Sequence, residues 1–219
     1  MTARKDPHKA LFPKGVSVLL GLLLFLLLTS FQAMAHDKDK SRWDSKYDTE
    51  TYIFGITPIP FLVNNLELLP KGKTLDIAMG EGRHGVYLAT KGFDVLGLDI
   101  SQKGLDKAHK LAESQNTTIQ TRVVDLENHT LEKNAYDLIV CTYYMQRDLF
   151  LQFKDALKAG GMALIETYNV DHLKYSKFNP EWVLRSNELL ETFKDFKIIR
   201  YQAVDNGELA YSSILIQKL

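Results

Sequence analysis

Cysteine is almost absent: Cys141 is the single thiol in 219 residues. An intramolecular disulfide and an all-thiolate metal centre are therefore excluded. A basic excess is missing as well. Residues 1–35 hold Arg4, Lys5, Lys9 and Lys14 against Asp6, which leaves 23 basic and 26 acidic side chains in the remainder of a chain with zero formal charge. Proteins that neutralise a phosphate backbone carry a basic stripe, so nucleic acid is not an expected partner. There is no internal repeat or low-complexity segment beyond His36, and no spacing that suggests a metal site. What remains is 45% apolar and 25% charged, the composition of one globular domain with an N-terminal extra.

That extra has a clear pattern. Basic residues up to Lys14 precede Val16–Ser30, a nearly pure apolar run, and Ala33-Met34-Ala35 offers a small-x-small cleavage site before a polar stretch. A cleaved secretory signal fits this order. An uncleaved anchor fits too, because residues 16–35 hold no charge and are just long enough to span a bilayer. Both place the body on the extracytoplasmic side. Met34 as the true start, with a cytoplasmic body, is the third reading. We divide the chain into this leader (1–35), an arm with a helix that could act as a substrate lid (36–70), and a catalytic-type domain (71–219).

The arm carries Trp43, Tyr47, Tyr52 and Phe54, and an apolar stripe from Ile59 to Leu69 predicts a helix. Strand and helix signals then alternate: strand Lys73–Met79, helix Gly82–Lys91, strand Asp94–Asp99, helix Ser101–Gln115, strands Thr118–Asp125 and Tyr136–Cys141, helix Asp148–Ala159, strand Met162–Thr167. This rhythm predicts a Rossmann-like α/β fold, a mostly parallel sheet with helices on both faces. It breaks at the end. After a helix near Ser186–Lys194, two strand-like runs, Lys197–Val204 and Leu209–Gln217, are joined only by Asp205-Asn206-Gly207, which predicts a C-terminal antiparallel hairpin.

The chemistry gathers at Thr74–Gly85, a strand that runs into a glycine-rich turn and a helix start. Gly80-x-Gly82-x-x-Gly85 matches a dinucleotide fingerprint, in which glycines let backbone N–H groups approach a ligand. Asp76 does not belong in that fingerprint. A carboxylate in an apolar strand is costly unless a cation or donor needs it, and a ligand with an α-amino group supplies one. S-adenosylmethionine is such a ligand. Asp99 ends the second strand, 17 positions after Gly82, near the spacing of a ribose-chelating carboxylate. Asp125 ends the third and is placed to accept from an adenine amino group, with Leu126 against the ring. Taken singly, Asp99 and Asp125 also read as turn or cap residues.

From roughly Trp43 to Leu219 the chain resembles the class I S-adenosylmethionine-dependent methyltransferases, and within them the small bacterial tellurite-resistance type. RWDSKYDTETYIFGITPIPFL resembles the opening WDxxY…FG…P-x-P-F-L of that group, LDIAMGEGRHGVYLA its LDxGxGxGRNxxxLA motif, and VLGLDIS its second-strand motif. YDLIVC and LKAGGMALIETY match its fourth strand and the helix-turn-strand that follows. Two departures stand out: the turn, usually Gly-Cys-Gly or similar, reads Met79-Gly80-Glu81-Gly82, and His84 stands where the motif has Asn. The resemblance implies a seven-stranded sheet whose last strand inserts antiparallel. It implies that Asp76 and the backbone of Ala78, Gly80 and Gly82 hold the methionine moiety. Asp99, with Ile100 beside it, would take the ribose, and Asp125 with Leu126 the adenine. Tyr143 and the Cys141 carbonyl would lie by the sulfonium, and Arg83 would serve a carboxylate of the cofactor or of Glu166.

On the acceptor side, Tyr143 and Arg147 follow the fourth strand and Glu166 ends the fifth; these three are the catalytic candidates. His172 reads as a surface histidine and Cys141 as a core residue. No metal is required, because methyl transfer from a sulfonium is an in-line displacement that alignment promotes. The acceptor is a small molecule: tellurite, selenite, a thiol, a halide and a small carboxylate are all open. The enzyme is expected to be a monomer or weak dimer. Two other readings stay open, an NAD(P)-dependent oxidoreductase and an exported or tethered binding domain without turnover.

Overall fold

Residues 37–219 are described by the computed structural model, and the leader lies outside them. Among the described residues no helix is long and apolar enough to cross a membrane. The catalytic-type body belongs to one compact unit, Lys40–Leu219. Helix α1 covers residues 37–47 and leads to α2, Pro60–Asn64. Alternation then runs through β1 (Lys73–Ile77), α3 (Arg83–Thr90), β2 (Asp94–Asp99), α4 (Gln102–Ser114), β3 (Gln120–Val123), β4 (Tyr136–Thr142), α5 (Arg147–Ala156) and β5 (Leu157–Tyr168). Short α6 (Glu188–Thr192) precedes β6 (Lys197–Asp205) and β7 (Ala210–Gln217).

The seven strands are ordered β3-β2-β1-β4-β5-β7-β6. Pairings from β3 to β5 are parallel, and β7 is antiparallel to both β5 and β6. This is the sheet that the alternation and the terminal hairpin predict. Central strands are apolar on both faces because helices cover both. Phe61, Val86 and Leu105 from α2, α3 and α4 pack on one face, and Phe150, Phe153 and Leu189 from α5 and α6 on the other. The chain order reverses between β1 and β4, and the crevice at such a switch point is where open α/β sheets take ligands.

Several element boundaries differ from the sequence pattern, and three of them bear on the packing or the site. The helix expected over Ile59–Leu69 breaks at Asn65, whose side-chain amide donates to the Phe61 carbonyl at 2.8 Å, and a 3₁₀ turn, Leu66–Leu68, continues it. The helix expected to reach Ala159 stops at Ala156, because Leu157 adopts extended backbone and pairs with Tyr136. The third strand ends at Val123, two residues short of Asp125.

Candidate functional site

The carboxyl end of β1 turns on backbone conformations that side chains resist. Ala78 has φ +52°, Gly80 +54° and Gly82 +86°. Ala78 occupies the first glycine position of the LDxGxGxG motif, and its left-handed backbone costs about 1–2 kcal/mol. A Cβ on Gly80 would lie 2.6 Å from the Tyr47 hydroxyl, and one on Gly82 2.7 Å from the Ala108 Cβ. The first approach seats α1 on the turn; the second seats α3 on α4.

Two buried carboxylates brace this turn. Asp76, 1% exposed, accepts from the Gly85 N–H at 2.8 Å, an approach that a Cβ on Gly85 would obstruct. Burial pushes its pKa up to about 7; the Gly85 N–H opposes that shift and the charge of Asp99 adds to it. Asp99 accepts from Gly80 N–H at 2.7 Å through Oδ2 and from Ser101 N–H at 2.8 Å through Oδ1. Burial raises its pKa as well, against those two donors. Each carboxylate oxygen has two lone-pair sites, so Asp99 braces two turns and still keeps acceptor capacity for hydroxyls. Paired acidic groups raised by burial favour a cationic or hydroxyl-bearing ligand. The donor set and the glycine cradle therefore fit the methionine and ribose portions of S-adenosylmethionine.

Further along the same edge, Asp125 closes its own turn, accepting from the Glu127 N–H at 3.0 Å and the Asn128 amide at 2.7 Å. Leu126 is buried in the core and Ile100 is half-buried. Cys141 is fully buried, its thiol pushed up by burial and donating weakly to the Tyr144 carbonyl. Tyr143 sits at φ +52° with its N–H on the Glu166 carbonyl at 2.7 Å and its hydroxyl on Glu166 Oε1 at 3.0 Å. Glu166 is 2% exposed and takes a second donor, the Ser213 hydroxyl, at 2.6 Å. Burial raises its pKa against both donors. Arg83 donates to the Phe54 carbonyl at 3.1 Å and lies 5.6 Å from the Tyr143 ring centroid.

Arg147 stands apart from this group. It clamps Glu188 through Nε at 2.6 Å and Nη2 at 3.0 Å, and donates to the Glu181 and Val183 carbonyls. His172 is buried and not on the surface. Its ring stacks on Tyr168 at 4.0 Å and accepts from the Ala210 N–H at 3.3 Å. Sequence reasoning also missed Glu81, inside the glycine turn. It forms a buried ion pair with Lys107 of α4 at 2.5 Å and accepts from the Ile53 and Phe54 N–H groups at 3.2 Å. Lys107 donates to the Thr51 carbonyl at 2.6 Å, so the arm is held against the turn by both charges. A lysine close to the apolar stripe of α4 was the available signal. His84, a departure from the motif, is buried: its Nδ1 meets the Thr142 hydroxyl at 3.1 Å and its Nε2 has no partner.

The family profile described as "Tellurite resistance protein TehB" matches residues 36–213. The chain belongs to the TehB family. It is 26% identical over 179 residues to the probable S-adenosyl-L-methionine-dependent methyltransferase TehB of Haemophilus influenzae, covering 78% of this chain and 60% of that protein. It is 29% identical over 109 residues to a ubiquinone biosynthesis O-methyltransferase of Rickettsia akari, 46% of this chain and 42% of that one. The chain thus spans about 60% or less of the length of these relatives. The crystal structure of Haemophilus influenzae TehB superposes with a TM-score of 0.64 at 22% identity, covering 82% of this chain and 67% of that one. The family match agrees with the resemblance that the sequence motifs carry.

The raised pKa of Asp76 has a stability consequence. An aspartate with a folded pKa of about 7 and an ordinary value of 3.8 binds more protons folded than unfolded. Its contribution is complete below about pH 4 and is lost as pH rises through 7. Urea unfolding from pH 5 to 8 is expected to show stability falling with pH, and Asp76→Asn to flatten that slope by about 2–3 kcal/mol across the range. Parallel profiles for the two proteins would contradict the assignment.

Proposed function

We propose that this chain is an S-adenosylmethionine-dependent methyltransferase acting on a small-molecule acceptor. The observation that carries the reading is the pair of buried carboxylates, Asp76 and Asp99, flanking a glycine turn at the carboxyl ends of β1 and β2. Membership of the TehB family supports it. The backbone of Ala78, Gly80 and Gly82, with Asp76, would hold the methionine end. Asp99 with Ile100 would hold the ribose, and Asp125 with Leu126 the adenine. When bound, the cofactor supplies an electrophilic methyl group on a cationic sulfonium.

The chain's own residues then align and dry the reacting centre. Tyr143, with the Cys141 carbonyl and the Arg83 guanidinium near it, forms the wall at the end of β4. The Tyr143–Glu166 pair is the group placed to take up a proton when the acceptor must lose one. Arg147 acts by position, fixing the segment around Glu181–Glu188 and not touching the reactants. The basic residues ahead of the uncharged run 16–35 support an exported or membrane-anchored enzyme. The N-terminal sequence of protein recovered from separated membrane and soluble fractions tests that part.

Calorimetric titration of the full chain with S-adenosylmethionine is expected to show saturable binding. Asp99→Ala is expected to weaken it by about 1–3 kcal/mol through lost hydroxyl contacts. Equal affinity in wild type and variant would sink the ribose assignment, and binding of NAD(H) alone would overturn the class.

A further inference from the structure

The candidate site lies along the carboxyl edge of the sheet, and that edge carries exposed apolar side chains from two segments far apart in the chain. Phe54 and Ile56 of the arm are each 47% exposed. They stand at the glycine turn, because Glu81 accepts from the Phe54 N–H and Arg83 donates to its carbonyl. Phe178, 41% exposed, sets its ring 5.3 Å from that of Tyr168, the last residue of β5. Trp182 is 53% exposed, and Arg147 at the start of α5 holds the backbone on either side of it through the Glu181 and Val183 carbonyls. The two groups are joined across the site: Arg83 lies over Tyr143, whose ring meets Tyr168 at 5.0 Å. Exposed apolar side chains gathered in one region mark a surface that meets a partner.

The chain itself indicates which partner. The run 16–35 is uncharged and just long enough to span a bilayer. Asp44 follows Ala35 by nine positions, and its carboxylate accepts from the Ser101 hydroxyl at 2.6 Å, just past the carboxyl end of β2. The run therefore enters the body at this same edge, through a link that fully extended measures about 30 Å. So short a tether keeps the edge at high effective concentration beside the membrane, and weak contacts suffice. Aromatic side chains, tryptophan above all, settle at the headgroup level with their apolar bodies toward the acyl chains. Charge on the rim is mixed: exposed Lys46, Lys177 and Arg185 stand against exposed Glu50, Asp171 and Glu181. Ring burial, and not attraction to anionic lipid, must then carry the contact.

We infer that the carboxyl edge of the sheet rests on a lipid bilayer, with Phe54, Ile56, Phe178 and Trp182 at the headgroup level and the site opening toward the membrane. The inference rests on the anchored reading of the leader and is independent of the methyl-transfer chemistry.

Trp43 and Trp182 are the two tryptophans of the chain, so Trp43→Phe leaves Trp182 as the sole reporter. The full-length variant is reconstituted into phosphatidylcholine vesicles whose acyl chains are either ordinary or brominated close to the headgroup, bromine being a short-range quencher. Trp182 emission is expected to fall about twofold or more in the brominated vesicles, as befits an interfacial ring. High salt is expected to leave that quenching in place. Should Trp43→Phe misfold, the difference in quenching between wild type and Trp182→Phe reads the same exposed ring. Unquenched Trp182 emission in a chain that floats with the vesicles overturns the docking and leaves the anchor standing. A chain that does not float overturns both, and S-adenosylhomocysteine binding by the same sample shows that the methyltransferase reading is untouched.

Discussion

The architecture of the site depends on one buried carboxylate. Asp99 joins the turn after β1 to the turn after β2 by accepting from Gly80 and Ser101 at once. Both donors lie in the interior, where an orphaned N–H costs about 1–3 kcal/mol. The bond to Gly80 holds the left-handed path of the turn. The bond to Ser101 sets the start of α4, where Ser101 itself caps Gly104 and donates to Asp44 of α1 at 2.6 Å. One side chain thus fixes the floor of the site, the helix beside it and the docking of the arm.

The arm is attached by charge placed out of water. Glu81 and Lys107 are both buried, and burying an ion pair costs more than its Coulomb attraction unless further hydrogen bonds complete it. Here they are complete: the carboxylate takes two arm N–H groups and the ammonium gives to an arm carbonyl. Such a pair is a poor source of stability and a good source of register. It sets Tyr47, Tyr52 and Phe54 against the turn in one arrangement. Tyr47 covers Gly80 while Trp43 stacks on it at 5.5 Å. A ligand on the glycine turn is therefore walled by aromatic side chains, which suits a reaction that gains from exclusion of water.

Much of this was legible in the chain. Alternating apolar runs gave the parallel sheet, and a three-residue connection near Asn206 gave the antiparallel ending, because both are set by local spacing. The glycine turn and the odd carboxylate at Asp76 stood out for the same reason. What escaped was decided by tertiary partners. Leu157 leaves its helix because Tyr136 offers a strand to pair with, and Asn65 breaks another by bonding Phe61. Arg147 is drawn to Glu188, 41 residues away, and His172 is held inward by the Ala210 N–H of β7, with Tyr168 and Phe178 on its ring. The left-handed backbone at Ala78 had one signal, an alanine where the motif carries glycine. A polar row across the sheet, Thr142, Glu166, Ser213 and Gln202, is scattered along the sequence and exists only in the register of the strands.

We propose that Asp76 receives the charged end of a methyl donor. A buried carboxyl with a pKa near 7 carries a proton for much of the time at neutral pH, and an ammonium beside it expels that proton. Calorimetry of S-adenosylmethionine binding at pH 6.5–7, in two buffers of different ionisation enthalpy, measures the proton directly. Release of a substantial fraction of one proton, abolished in Asp76→Asn, is the result predicted. Binding with no proton released, or with the same release in the variant, would contradict it.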